Sequence, residues 1–207
     1  AFAARLRGLG YAAVWTTLEV SQGITEIHMA EPIWLAALEQ GGRVLNGSAP
    51  LHREFLDLPV GTRLSHYLRA WSEKLTVPLV LLLDEADTIS GPALISFLRQ
   101  LRAGFTDRGV GKFPTSIALI GMRDLRDYLS YAKDGVPINP GSPFNIKAAS
   151  VTLRNFSQSE VSELYAQHTH ATGQIFTDEA IEQVFYWTQG QPFLVNAMAR
   201  LLVEGTR

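Results

Sequence analysis

Leu79-Val80-Leu81-Leu82-Leu83-Asp84-Glu85-Ala86-Asp87 is the stretch on which the fold turns. Behind Pro78 the apolar residues run on without a break, then give way to two adjacent carboxylates. A strand with one wet face alternates apolar and polar residues. An unbroken run bounded by proline reads instead as a strand buried on both faces, as in a parallel sheet. Such sheets bind ligands outside the carboxyl ends of their strands, which is where Asp84 and Glu85 fall. A carboxylate pair there suits phosphate chemistry. The first orients the water shell of a hard cation such as Mg²⁺, and the second aims an attacking water or takes its proton. The same residues also suit a strand that runs into an acidic helix cap, with Asp84 or Asp87 capping.

Composition narrows the classes. A chain of 207 residues accommodates one large domain, or one domain with a small satellite. With 46% hydrophobic and 18% charged residues, a packed core is expected rather than disorder. A net charge of −2 announces no nucleic-acid or anionic-membrane partner. Cysteine is absent, which excludes disulfides and thiolate metal sites. Apolar runs such as 79–83 and 117–120 are too short to span a bilayer, and the start carries no signal-peptide pattern. A soluble, cytoplasmic protein with no membrane partner is the expectation. Ala1 to Gly10 already reads as a helix in progress, with Phe2, Leu6 and Leu9 on one face and Arg5 and Arg7 on the other. The last helix, Leu194 to Val203, lies just before the final residue, so the pattern reads as part of a longer protein.

Further out, Tyr11 to Val20 is rich in aromatic and β-branched residues and reads as a strand. Glu31 to about Gln40 reads as a helix with Pro32 in its first turn, and Gly41 to Pro59 as a long loop. Thr62 to Leu75 is an amphipathic helix with Leu64, Tyr67, Leu68 and Trp71 inward. After the acidic strand come a helix from Pro92 to Ala103, a short apolar strand from Ser116 to Gly121, a loop from Ala132 to Pro143 and a last strand from Phe144 to Leu153. This alternation predicts an α/β fold, a parallel sheet with helices on both sides. From Ser157 onward only helices are expected. Ser157-Gln158-Ser159-Glu160 is a capping box, Thr177-Asp178-Glu179 opens a second helix and Gln191-Pro192 a third. The predicted division is an α/β core over 1–153 and a small all-helical lid over 154–207, with Phe185, Tyr186 and Trp187 packing the lid.

Two further segments share the logic of the first. Ser116-Ile117-Ala118-Leu119-Ile120-Gly121-Met122-Arg123-Asp124 is another apolar strand that releases polar groups at its carboxyl end. A neighbouring parallel strand of this kind puts Arg123 or Asp124 beside the carboxylates, where a guanidinium can stabilise phosphate charge; Arg123 also suits simple pairing with Asp124, Asp127 or Glu85. In Thr188-Gln189-Gly190-Gln191-Pro192, glycine permits a close backbone approach and proline presets a helix start.

Together these segments resemble the AAA-type branch of P-loop ATPases, and more narrowly its signal-transducing and origin-recognition-like members. Leu79 to Asp87 is similar to Walker B, and Ile117 to Asp124 to the strand carrying the sensor-one position. Val151 to Glu160 is similar to the start of the family's lid, and Thr188 to Pro192 to its Gly-x-Pro element near the adenine. The wording of Ser96 to Gly104, of Gly121 to Asp124 and of Ser142 to Ile146 resembles a group of bacterial AAA-like ATP-binding proteins. The resemblance implies ATP and Mg²⁺ as cofactors held between sheet and lid. Asp84 would govern Mg²⁺, Glu85 would position water, Arg123 would sense the γ-phosphate, and Gly190 and Pro192 would lie at the base. Arg126 and Arg154 are candidate arginine fingers, and a homo-oligomer or a partner domain would receive the motion. One element departs from the pattern: no Gly-x-x-x-x-Gly-Lys-Ser/Thr occurs, although that loop supplies the phosphate cradle. Either the loop and its strand lie upstream of Ala1, or the chain is a degenerate relative.

Other classes compete. Asp84-Glu85-Ala86-Asp87 spells the signature of DEAD-box helicases, but their Ser-Ala-Thr motif is replaced by Gly121-Met122-Arg123. A scaffold that reuses the fold without turnover is a second class, against which Glu85 argues. Nucleic-acid binding through Arg99, Arg102, Arg108 and Lys112 is a third, although so few charges suit a solvated surface. His168 and His170 lack partners at ligand spacing, and no Gly-x-Ser-x-Gly is present. Neither zinc nor Ser/His/Asp chemistry is therefore expected.

Overall fold

Among the described residues Leu79–Asp84 (β2) is the middle of three parallel strands, paired with Ala12–Thr17 (β1) on one side and Ser116–Leu119 (β3) on the other. The computed structural model describes residues 2–107, 111–122, 149 and 151–205. Arg108, Arg123, Asp124, Arg126, the loop at 132–143, Ser142 to Ile146 and most of the strand predicted for 144–153 lie outside the described residues. The chain separates into two compact units, 1–149 and 150–207.

The first unit explains the unbroken apolar run. Leu79, Leu81 and Leu83 point with Ala12 and Val14 into one core; Val80 and Leu82 point with Ala13 into another. The first core is closed by helices Ile27–Gly42 (α2), Arg63–Lys74 (α3) and Gly91–Thr106 (α4). Leu64, Tyr67, Leu68 and Trp71 are all fully buried there, as the amphipathic pattern predicts. Trp34 meets Phe97 edge-on at 5.1 Å, and Tyr67 meets Trp71 at 5.9 Å. Each such aromatic removes about 200 Å² from water, worth about 5 kcal/mol before entropy, so this face carries most of the unit's stability. On the second face, among the described residues, Ala3 and Leu6 of the helix Phe2–Gly8 (α1) pack against Ala13, Val80 and Leu82. Phe2 and Leu9, read as part of that helix's apolar face, are exposed.

The sequence-predicted strand over Tyr11 to Val20 stops at Thr17, and Glu19–Ser21 forms a 3-10 turn. The predicted loop over Gly41 to Pro59 contains two more, Arg43–Leu45 and His52–Phe55. Here both the His52 backbone N–H and its ring Nδ1 lie 2.7 Å from Glu39 Oε2, and Tyr67 donates to the Pro50 carbonyl at 3.1 Å. The His52 contacts, led by the backbone N–H, hold the Glu39 carboxyl below its ordinary range.

A buried polar network joins the helices of the main core. Glu31 is fully buried in α2 and accepts the Gly61 N–H on both oxygens at 3.1 and 3.0 Å. Gln100 of α4 donates to Glu31 Oε1 at 2.9 Å and to Ser96 Oγ at 3.1 Å. Its Oε1 accepts from the backbone N–H groups of Leu64 at 2.9 Å and Ser65 at 3.3 Å. These are orphan donors of the first turn of α3, whose N-cap Thr62 makes no side-chain cap. A side chain 36 residues away therefore caps this helix.

The second unit contains helices Gln158–Thr172 (α5), Asp178–Thr188 (α6) and Pro192–Glu204 (α7). Val161, Tyr165, Ile181, Val184 and Val195 form its core. Ser157 and Glu160 make the predicted capping box, Thr177 caps α6, and Gln191 caps α7 with Pro192 in the first turn. One expectation is overturned. Phe185 packs against this core, but Tyr186 and Trp187 are 63% and 69% exposed. Ile181, Val184, Phe185 and Thr188 follow the helical period, and the two intervening aromatics face away from it. Among the described residues no helix is long and apolar enough to cross a membrane.

Candidate functional site

The carboxyl ends of the three strands meet around the acidic residues. The Leu18 N–H donates to the Asp84 carbonyl at 2.9 Å, Ile120 N–H to the Leu83 carbonyl at 2.8 Å, and Ala86 N–H to the Ile120 carbonyl at 2.9 Å. Asp87 Oδ2 accepts the Met122 N–H at 3.2 Å. A Cβ on Gly121 would stand 2.6 Å from Asp87 Oδ1, so only glycine permits this close seat. Asp87 is thus a tie between the exits of β2 and β3.

Asp84 is half-buried, and among the described residues each of its oxygens has one donor. Oδ1 accepts the Glu85 backbone N–H at 3.0 Å, and Oδ2 accepts Trp15 Nε1–H at 3.2 Å. The alignment of Thr17 with Asp84 and of Trp15 with Leu82 puts Trp15 and Asp84 on one face of the sheet, one diagonal step apart. Sequence reasoning missed Trp15. Its only sequence signal is an indole near the polar end of a strand, and the pairing depends on a register the chain does not spell out.

Glu85 is exposed and takes the left-handed backbone conformation, φ 53° and ψ 33°. A non-glycine residue there bears about 1–2 kcal/mol of strain. Its carbonyl accepts from Thr88 N–H at 3.0 Å and Thr88 Oγ1 at 2.7 Å, which holds the turn. Among the described residues its carboxylate has no hydrogen-bond or ion-pair partner. The strand thus ends on one anchored carboxylate and one free carboxylate in neighbouring positions.

Among the described residues no three His, Cys, Asp or Glu side chains converge as a metal cage. Mg²⁺ does not require one, because it is commonly held by one or two carboxylates together with substrate phosphates. The Asp84–Glu85 donor set fits that mode. A hollow of about 360 Å³ opens at the opposite end of β2, lined by Leu75, Val77, Pro78, Lys112 and Phe113 among others. It contains neither carboxylate.

The helical unit gives Gly190 an internal reason to be glycine. Its φ is +72°, and a Cβ would overlap the Phe156 carbonyl oxygen. Phe156 N–H donates to the Gly190 carbonyl at 2.8 Å, and Asn155 Nδ2 donates to that of Gln189 at 3.0 Å. The space freed by the missing side chain is filled by this chain's own backbone. Pro192, half-buried, is the first residue of α7. Arg154, a candidate finger, is engaged with Glu160 through two bonds of 2.7 and 3.0 Å. That guanidinium first, and then the Ser157 N–H, pull the Glu160 carboxyl down to about 2. Arg99 is exposed, and Lys112 donates to the Leu75 carbonyl at 3.0 Å.

No family model, no curated protein and no solved structure matches the chain. The functional reading therefore rests on the residues themselves.

Proposed function

We propose that this chain is the carboxylate-bearing part of an AAA-like ATPase that couples Mg·ATP turnover to movement of its helical unit. One observation carries the reading: an anchored Asp84 and an unengaged, left-handed Glu85 stand side by side where the middle strand of a parallel sheet ends. Two generalities support the reading: strained backbone clusters at functional sites, and open parallel sheets bind ligands beyond the carboxyl ends of their strands. Bound Mg²⁺ would neutralise charge on the transferred phosphoryl group. Asp84, with one lone pair on each oxygen still available, would hold the cation or its water shell. Glu85, exposed and unpaired, would orient the attacking water and accept its proton. The phosphate cradle would come from a Gly- and Lys-bearing loop outside these residues. The base contact assigned to Gly190 and Pro192 has weaker support, because the close approach at Gly190 is already used by Phe156.

The test is calorimetry of ATP with Mg²⁺ on residues 1–207 and on the chain extended upstream through a strand and a phosphate loop, combined with turnover assays. Glu85→Gln in the ATP-binding form should retain nucleotide affinity and lose about 10²–10⁴-fold in turnover, the usual worth of a positioned base. Wild-type turnover in that variant would remove Glu85 from the chemistry. Absence of binding in both forms would leave an inert scaffold.

A further inference from the structure

We propose that Trp15 is a positioning residue for the cation site: its indole N–H fixes the Asp84 carboxylate so that the remaining lone pairs face the ligand. The inference rests on the Mg·ATP reading above and adds a residue that reading did not contain. Trp15 is unusual for a strand whose neighbours are buried. Ala12, Ala13 and Val14 are at most 3% exposed, whereas Trp15 is 51% exposed and belongs to neither core of the sheet. Packing among the described residues does not explain its place. Its single polar atom donates to Asp84 Oδ2 at 3.2 Å, and among the described residues no other side chain bonds that carboxylate.

The chemistry of the donor matters. An indole N–H donates only and is neutral. An arginine or lysine in this place would orient Asp84 equally well, but it would cancel the charge that a cation needs and compete for the same oxygens. The tryptophan orients without neutralising. Together with the Glu85 N–H on Oδ1, it restricts the carboxylate to one rotamer, with one acceptor direction left on each oxygen. Ordering entropy is thereby spent in folding rather than when the cation binds. Groups in this orienting position typically contribute 10–100-fold to metal affinity.

The experiment uses Mn²⁺ as the probe, read by electron paramagnetic resonance, in the complete natural protein with ATP, for wild type, Trp15→Phe and Asp84→Asn. Phenylalanine keeps an aromatic side chain and removes the indole N–H, at a position that is 51% exposed; an unchanged far-ultraviolet circular dichroism spectrum and melting temperature check the fold. ATP affinity is measured in parallel with chelator in place of metal. The expected result for Trp15→Phe is a loss of about 10-fold in Mn²⁺ affinity with metal-free ATP affinity unchanged. Unchanged Mn²⁺ affinity in Trp15→Phe, with Asp84→Asn strongly impaired, overturns the role of Trp15 and leaves the cation site standing. An equal fall in metal-free ATP affinity also overturns it, because the effect would then be general. No ATP-dependent Mn²⁺ binding in wild type overturns the Mg·ATP reading and this inference together.

Discussion

Replacing Gln100 with Met tests how the main core is built, because it keeps the length of the side chain and removes every polar atom. Two losses follow. The Leu64 N–H, buried in the first turn of α3, loses its acceptor at 2.9 Å, and the Ser65 N–H its weaker one at 3.3 Å. Removing a helix cap costs about 1–2 kcal/mol. Glu31 Oε1 loses the donor at 2.9 Å but keeps the Gly61 N–H. Partial loss of partners at such a buried group costs about 1 kcal/mol, the lower end of its range. The sum is about 2–3 kcal/mol, a large share of the roughly 5–15 kcal/mol that holds a domain together. With a urea slope of about 2 kcal/mol per molar, the midpoint should fall by about 1–1.5 M. Urea titration followed by tryptophan fluorescence reads this directly, since Trp34 and Trp71 are fully buried in the same core. Gln100→Glu should be worse than Gln100→Met at neutral pH, because it sets a second carboxyl against Glu31. A midpoint shift below about 0.3 M for the methionine variant, well under that slope-based figure, would refute the long-range cap.

Two further predictions concern the helical unit. Gly190→Ala places a Cβ on the Phe156 carbonyl and forces alanine to φ +72°, so the unit should lose at least about 1–2 kcal/mol from the backbone alone, measured by thermal unfolding of α5–α7; wild-type stability would show that 154–156 does not lie against this corner. Glu160 has its carboxyl lowered from 4.5 to about 2, so its contribution is complete above the unfolded value and disappears as pH falls from about 4.5 through about 2; the stability gap between wild type and Glu160→Gln should close over that window, and a gap independent of pH would rule out the Arg154 pairing.

What could be read in advance was what is local. Leu79 to Leu83 reveals its burial on both faces because a continuous apolar run has few other meanings, and Ser157 with Glu160 reveals a cap because both partners lie within one turn. Tyr186 and Trp187 show that aromatic character alone does not imply burial: the period set by Ile181, Val184 and Phe185 turns them outward. Gln100 and Trp15 could not be read, since each meets its partner across a distance in sequence that only packing fixes, 36 residues in one case and 69 in the other. A polar residue within an amphipathic helix looks like surface until the facing helix is in place. The left-handed turn at Glu85 was equally silent, because glutamate carries no preference for it.

The backbone and side-chain hydrogen bonds at the sheet's exit have a mechanical consequence. Ala86 is tied to Ile120, Asp87 to Met122, Thr88 to both Leu18 and Glu85, and Leu18 to Asp84. Loops following parallel strands usually move independently, but these three are stitched crosswise. A displacement of the chain at Met122 must drag the Glu85 turn, and that turn must pull the segment after β1. A shift at any one of the three exits would therefore strain the hydrogen bonds that hold the other two.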